Sequence, residues 1–285
     1  MKGGWGRYVK GAAFGTMGFC TSWAVDVYGG GQEWIEVVEV DLPLKRLGEK
    51  FRGKRIVHVS DLHCSPTVSS KYLGHCVDRI NQLEGDIVVL TGDYITYDYS
   101  GRFRRKVADL VGSVRSRHGV YACLGNHDYG IGGMGRSRQD EALNQMIAEM
   151  EGEGVNVLRN ESKLLEIGGD GLWFVGLGDL WAGDLEPGRA FADVNSNDAV
   201  IALAHNPESI VHLQEFACDA VMSGHTHGVG IEWNPRLKRP IVNRRPFRSG
   251  FYRHGDKKLY VNRGLGRLGK LIFNTRPEIT VFSLC

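Results

Sequence analysis

Arg55 to Asp93 reads RIVHVSDLHCSPTVSSKYLGHCVDRINQLEGDIVVLTGD, and it holds a complete strand, helix and strand. RIVHVS is a short apolar run of strand length. From Lys71 to Leu83 the apolar residues Tyr72, Leu73, Cys76, Val77 and Ile80 recur at helical spacing. DIVVLTGD holds a continuous apolar run, Ile87 to Leu90, as expected of a buried strand. Each strand runs straight into polar residues, Asp61-Leu62-His63 after the first and Asp93 after the second.

Outward from this unit the alternation continues. GRFRRKVADLVGSVRS predicts a helix, VYACLGN a strand, and RQDEALNQMIAEMEGEG a helix closed by glycine. The second half is richer in strands, with SKLLEI, LWFVGLGD, AVIALAH, DAVMSGH, KLYVNRG and EITVFSL, and one helix is expected after Pro207. The class is α/β. Alternation followed by a run of strands suggests two packed sheets with helices outside, rather than one doubly wound sheet.

Toward the N-terminus, EWIEVVEVDLPL alternates at period two and follows the break Gly29-Gly30-Gly31, so residues 34–285 are expected to form one domain and residues 1–33 a separate segment. In that segment Lys2, Arg7 and Lys10 precede an uncharged stretch, Gly11 to Val25. It falls short of the roughly 18 to 20 apolar residues that span a bilayer. Trp5, Tyr8, Phe14, Phe19 and Trp23 suit an interfacial anchor, giving a membrane-peripheral protein on the cytoplasmic face. Export is the alternative, with small residues around Ser22-Trp23-Ala24 where a signal-peptide cleavage site wants them.

Composition excludes other classes. With 285 residues, 42% hydrophobic and 24% charged, the chain is neither a disordered nor a polytopic membrane protein. Lys+Arg 35 against Asp+Glu 33 leaves no global bias, but basic residues crowd the stretch from Arg236 to Arg276, and Arg102, Arg104, Arg105 and Lys106 form a second cluster. Such clusters serve either as a solvated face or as a surface for phosphates or anionic lipid. The six cysteines form no C-x-x-C pair, so neither a zinc ribbon nor a small disulfide framework is indicated, and reduced thiols are expected.

The chemistry lies at the strand ends. RIVHVS leads into Asp61 and His63, DIVVLTG into Asp93, VYACLG into Asn126-His127-Asp128, AVIALA into His205, and DAVMSG into His225-Thr226-His227. A lone Asp or Asn after a strand is usually a turn former or helix cap. Five strand ends that together offer two carboxylates, an amide oxygen and four imidazoles besides His127 point instead to a metal centre. Oxygen and imidazole donors without thiolate suit Mn, Fe, Co, Ni or Zn. Seven donors exceed the needs of one ion, and two ions sharing one carboxylate would use them all. Residues two apart on an extended segment point the same way, so His225 and His227 should converge while Thr226 faces away. His127, next to a ligand but surplus to both sets, is the candidate to protonate a leaving oxygen, with Asp128 fixing its ring.

DLH, GDY, GNHD, the histidine of AHNPE, and GHTHG, in that order between about Arg55 and Gly228, resemble the signature of the calcineurin-like metallophosphoesterase superfamily. The resemblance implies a four-layer α/β/β/α sandwich of two mixed sheets and a dinuclear centre. It implies that Asp61, His63 and His227 hold one divalent ion, that Asn126, His205 and His225 hold the other, and that Asp93 bridges them. It implies the same roles for His127 and Asp128.

AHNPESI, GHTHG and the tail KLYVNRGLGRLGKLIFNTRPEITVFSL further resemble a bacterial branch of membrane-associated phosphodiesterases that includes UDP-diacylglucosamine pyrophosphohydrolases of lipid A synthesis. That branch commonly shows GHTHGGQ where this chain has Gly228-Val229-Gly230. The expected activity is therefore hydrolysis of a phosphodiester or pyrophosphate bond in a lipid-linked or nucleotide-containing substrate. A broad phosphodiesterase or nuclease is the alternative, although no added nucleic-acid recognition module is visible. A non-catalytic metal-binding scaffold is the alternative of another class. GLGRLG, from Gly264, leads into a strand and not a helix, so it is no dinucleotide fingerprint. There Arg263 or Arg267 is expected to approach a substrate phosphate.

Overall fold

The computed structural model describes residues 35–98, 100–132, 135–136, 139–228, 231–234, 239–242, 246–266 and 276–285. The expectations for residues 1–33 and for Arg267 lie outside the described residues. The first half runs β1 (Glu36–Leu42), β2 (Arg55–Val59), helix Ser70–Gln82, β3 (Ile87–Thr91), helix Arg102–Gly112 and β4 (Val120–Cys123). Two short strands follow, β5 (Ile131–Gly132) and β6 (Gly135–Arg136), then helix Asp140–Gly152 and β7 (Val155–Val157). The second half runs β8 (Glu161–Ile167), β9 (Asp170–Gly176), the one-turn helix Pro187–Ala190, β10 (Ala199–Leu203) and β11 (Ala220–Ser223). Last come β12 (Ile231–Asn234), β13 (Arg239–Val242), β14 (Gly250–His254), β15 (Lys257–Val261) and β16 (Glu278–Leu284). The helix expected after Pro207 is a 3-10 segment, Pro207–Leu213, started by the Asn206 side chain accepting from the Glu208 N–H at 2.9 Å.

Two mixed six-stranded sheets result, ordered β1-β16-β2-β3-β4-β7 and β14-β15-β11-β10-β9-β8. Helices Ser70–Gln82, Arg102–Gly112 and Asp140–Gly152 bury their apolar stripes, Leu73, Cys76, Val77 and Ile80 in the first, against the outer face of the first sheet. Ile56, Ile87, Val89 and Phe282 of the first sheet meet Phe174, Ile201, Leu203 and Tyr260 of the second in the core between sheets. Tyr121 and Phe174 stack across that core at 4.2 Å. Each large apolar side chain buried there contributes about 1.5–3 kcal/mol. Ile210 and Leu213 of the 3-10 segment and Ala190 cover the far side of the second sheet. This is the expected α/β/β/α sandwich, and Ile35–Cys285 makes one compact unit.

Not every pairing follows chain order: β15, not β14, lies beside β11. The C-terminal strand β16 crosses into the first sheet, parallel to β1 from Glu36↔Glu278 to Leu42↔Leu284 and antiparallel to β2. What matters for the site is that β2, β3 and β4 are adjacent and parallel, as are β9, β10 and β11. The described cysteines are free thiols, and all but Cys285 are buried. Among the described residues no helix is long and apolar enough to cross a membrane.

Candidate metal centre

Just beyond β2, β3, β4, β10 and β11 stand Asp61 and His63, Asp93, Asn126, His205, and His225 and His227. The carboxyl edge of a parallel sheet is where loops diverge and leave a crevice. Here two sheets contribute to one crevice, and all seven side chains meet in it.

Their donor atoms fall into overlapping groups able to hold metal ions: Asp61, His63 and His227; His63, Asp93 and His127; and Asp93, His205 and His225. In the first, His63 Nε2 lies 3.1 Å from His227 Nε2, and Asp61 Oδ1 lies 3.7 and 3.4 Å from these two nitrogens. In the last, His205 Nε2 lies 3.2 Å from Asp93 Oδ2 and 3.3 Å from His225 Nδ1, which faces Asn126 Oδ1 at 3.0 Å. Asp93 Oδ2 also lies 3.6 Å from His63 Nε2, so this one carboxylate reaches both sides.

Whether the residues fit a cation is decided by their lone pairs. His205 Nδ1 lies 2.7 Å from the carbonyl oxygen of Thr91, which only accepts, so the ring proton sits on Nδ1. The neutral ring therefore aims a lone pair at the Asp93 carboxylate, acceptor against acceptor. Only a proton or a cation makes that contact favourable. In the metal-free chain the proton does so: burial alone would lower the His205 pKa, but the charge of Asp93 and its hydrogen bond raise it well above normal. Burial likewise opposes the ionised Asp93, yet His205, His127 and His63 hold its pKa well below the usual range. The donor set fits divalent metal.

The backbone is bent to bring these groups together. Non-glycine residues with positive φ include Asp61 (53°), His63 (49°), Asp93 (55°), His225 (73°) and His227 (52°). Such conformations cost energy and gather at functional sites. The expectation that GHTHG is extended is therefore corrected. His225 and His227 converge through two left-handed residues, and the Thr226 hydroxyl turns away to donate to the Arg248 carbonyl. Glycines make the room: a Cβ on Gly125 would come 2.5 Å from the Asp93 backbone nitrogen, and one on Gly264 2.6 Å from the Asp61 Cβ.

His127 also faces the centre, its ring edge to face with His63 at 5.0 Å. Asp128 does not orient it. The His127 Nδ1 lies 2.8 Å from the Thr96 carbonyl oxygen, while the Asp128 carboxylate accepts from the backbone N–H groups of Asp93 at 2.9 Å, Tyr94 at 2.9 Å and Gly125 at 2.8 Å. Asp128 thus ties the β3 and β4 loops to each other. Burial first, and then the Asp93 charge, push its carboxyl up to about 8 in the metal-free chain.

Residues 54–229 match the calcineurin-like phosphoesterase family. The chain belongs to it. Among curated relatives, the phosphodiesterase YaeI of Escherichia coli K12 is 30% identical over 254 residues, covering 88% of each chain. The UDP-2,3-diacylglucosamine pyrophosphatase LpxG of Chlamydia trachomatis serovar D is 28% identical over 293 residues, covering 86% of this chain and 88% of its own. A transmembrane protein with metallophosphoesterase domain of Danio rerio is 31% identical over 259 residues, covering 86% of this chain and 56% of its own. This calcineurin-like phosphoesterase is accordingly a metal-dependent phosphoester hydrolase.

Arg263 does not reach the centre. Its guanidinium donates to Glu278 through Nε and to Glu36 Oε2 at 2.8 Å through Nη2, which ties β1 to β16. Of the second basic cluster, Arg104 is buried against Asp98, and Arg105 pairs with Asp109 at 3.1 Å. Sequence reasoning missed Trp181, 48% exposed with its ring 4.3 Å from that of His225. It also missed Asp179, a buried carboxylate beyond β9 whose Oδ1 accepts from the Ala182 N–H at 2.9 Å. The GLGD ending of the β9 run resembles the other polar strand ends, and that was the available signal.

Proposed function

We propose that this phosphoesterase holds two divalent ions and hydrolyses a phosphodiester or pyrophosphate bond. Asp61, His63 and His227 would hold one ion, Asn126, His205 and His225 the other, and Asp93 both. The observation that carries this is the position of Asp93 Oδ2, 3.2 Å from His205 Nε2 and 3.6 Å from His63 Nε2, between two groups of donors. Two such cations bound there acidify water and offset the charge on phosphoryl oxygens.

The chain's own residues complete the reaction. His205 keeps Nδ1–H on Thr91, so Nε2 is the nitrogen that would exchange its proton for a metal. His127 keeps Nδ1–H on Thr96, which leaves Nε2 as the position from which a proton would pass to the leaving oxygen. Asn126 holds its amide with Nδ2 donating to the Ile131 carbonyl at 2.7 Å, which presents Oδ1 inward.

For the substrate we infer a nucleotide-containing or lipid-linked pyrophosphate or diester, with UDP-2,3-diacylglucosamine as the specific candidate. Support comes from the relative named a UDP-2,3-diacylglucosamine pyrophosphatase and from residues 1–33, read above as a membrane-proximal segment on the cytoplasmic face, beside a single domain of residues 34–285. The relative named a phosphodiesterase favours a broader diester hydrolase as the second reading. Metal-loaded protein assayed on UDP-2,3-diacylglucosamine and on bis(p-nitrophenyl) phosphate separates the two. Faster cleavage of the sugar nucleotide is expected, equal rates favour the broad enzyme, and hydrolysis of neither overturns both.

A further inference from the structure

The carboxyl edge of the second sheet carries the metal centre; its opposite edge carries a different site. Where β11 and β15 begin, a pocket of 170 Å³ opens between the loop after β1 and the segment leading into β11. Lys45, Arg46, Lys257 and Lys258 line it, with Asp219 and Asp256 as the carboxylates. Strand register explains why so much positive charge gathers here. Lys258 pairs with Ala220 and shares the inward face of β15 with Tyr260, so its side chain ends the core between the sheets.

The carboxylates are already engaged. Asp219 accepts from Arg46 Nη2 at 3.0 Å and from the Val200 N–H at 2.9 Å. Asp256 pairs with Lys257 at 3.3 Å and, at the limit of contact, with Lys45 at 3.9 Å. Two cationic donors remain. Lys258 is 7% exposed, and its ammonium makes no ion pair or hydrogen bond among the described residues. Arg46 Nε is buried and has no acceptor among the described residues, although the same guanidinium donates from Nη1 to the Ser196 carbonyl at 2.7 Å. Buried charges and buried N–H groups are almost always paired, and leaving one unpaired is expensive. The Arg46 N–H without an acceptor and the Lys258 ammonium, which opens only onto the pocket, leave this wall able to take an anionic partner.

We propose that this pocket is a second, non-catalytic anion site that binds a phosphate group between Lys258 Nζ and Arg46 Nε. Phosphate chemistry fits the requirement of several oxygens on one small centre, able to accept from an ammonium and a guanidinium together. The apolar wall supplied by Phe216 leaves room for a substituent on that phosphate. Free phosphate or a nucleotide is one source of the group, and the headgroup of an anionic lipid is the other. The site stands independently of the substrate read for the metal centre.

The test titrates metal-loaded wild type and Lys258→Met with inorganic phosphate, following binding by calorimetry and the melting temperature in parallel. Phosphate at the metal centre is common to both proteins, so the pocket appears as the difference. Wild type should bind one further phosphate per chain, and Lys258→Met should lose it or weaken it on the order of tenfold. Phosphate should also raise the melting temperature of wild type more than that of Lys258→Met, because only wild type binds it at the pocket. Lys45→Gln, at an exposed position, gives a second variant with weakened binding and an unperturbed fold. Vesicles of phosphatidylglycerol against phosphatidylcholine distinguish the sources: lysine-dependent binding to the former assigns the headgroup, and its absence beside phosphate binding assigns a soluble ligand. Identical phosphate isotherms and melting curves for wild type and both variants overturn the proposal, whatever the hydrolysis assays show.

Discussion

The Nε2 of His205 lies 3.2 Å from Oδ2 of Asp93, while its Nδ1 lies 2.7 Å from the Thr91 carbonyl oxygen. The ring is thereby fixed in the tautomer that suits a metal and, without one, keeps an extra proton. Metal uptake at neutral pH should release that proton, and affinity should fall as the pH drops. Calorimetric titrations of chelator-stripped protein in buffers of different ionisation enthalpy read the release directly. Binding heats independent of buffer would count against this picture.

Among the described residues His127 Nε2 has no hydrogen-bond partner that would keep it from delivering a proton, the role proposed for it. His127→Ala should lower kcat by about 10²- to 10⁴-fold while leaving metal content unchanged. The loss should be larger for an alkyl leaving group, which needs its proton, than for p-nitrophenolate, which does not. Equal losses on the two substrates would assign His127 to charge stabilisation alone.

Gly125 lies against the Asp93 backbone, where an added Cβ would come 2.5 Å from the nitrogen and strike the carboxylate. Backbone cannot yield as a flexible side chain does. Gly125→Ala should cost about 1–3 kcal/mol of stability, by the usual penalty for overpacking. It should weaken metal binding more than Gly74→Ala, whose Cβ meets nothing within 4 Å. Thermal melts and metal titrations of the two variants compare them.

His58 is fully buried between the sheets, with Nε2 2.9 Å from the Thr91 hydroxyl and its ring stacked on Phe282 at 6.1 Å. Burial lowers its pKa from 6.5 to about 3. Between those values the unfolded chain binds a proton that the folded chain refuses, so this contribution is complete above pH 6.5 and is lost as the pH falls toward 3. The slope is up to about 1.4 kcal/mol per pH unit. His58→Gln should flatten the acid side of the stability profile by that amount, as read from urea melts at several pH values. An unchanged profile would mean the ring is protonated in the fold.

Much of this was legible because strands announce themselves locally. The runs before Asp61, Asp93, Asn126, His205 and His225 are short and apolar, and each ends in a donor. That the two sheets share one open edge follows from parallel pairing of β2, β3 and β4 and of β10 and β11. The insertion of β16 beside β1 was not legible, since the partner of a strand depends on contacts across almost the whole chain. Nor were the left-handed turns at the donors, because Asp and His carry no local signal that forces positive φ. The orienting partner of His127 escaped for a related reason: it is a main-chain oxygen, Thr96 O, which the identity of the side chain does not reveal. Arg263 looked like a phosphate ligand and instead ties β1 to the C-terminal strand, a pairing invisible before the topology is known.

The most direct test is elemental analysis of metal content per chain in wild type and Asp93→Asn after reconstitution with Mn or Zn and removal of excess. A centre in which Asp93 serves two ions binds two equivalents in wild type and fewer than two in Asp93→Asn, with hydrolysis nearly abolished. Two equivalents retained in Asp93→Asn, or none bound by wild type, would contradict it.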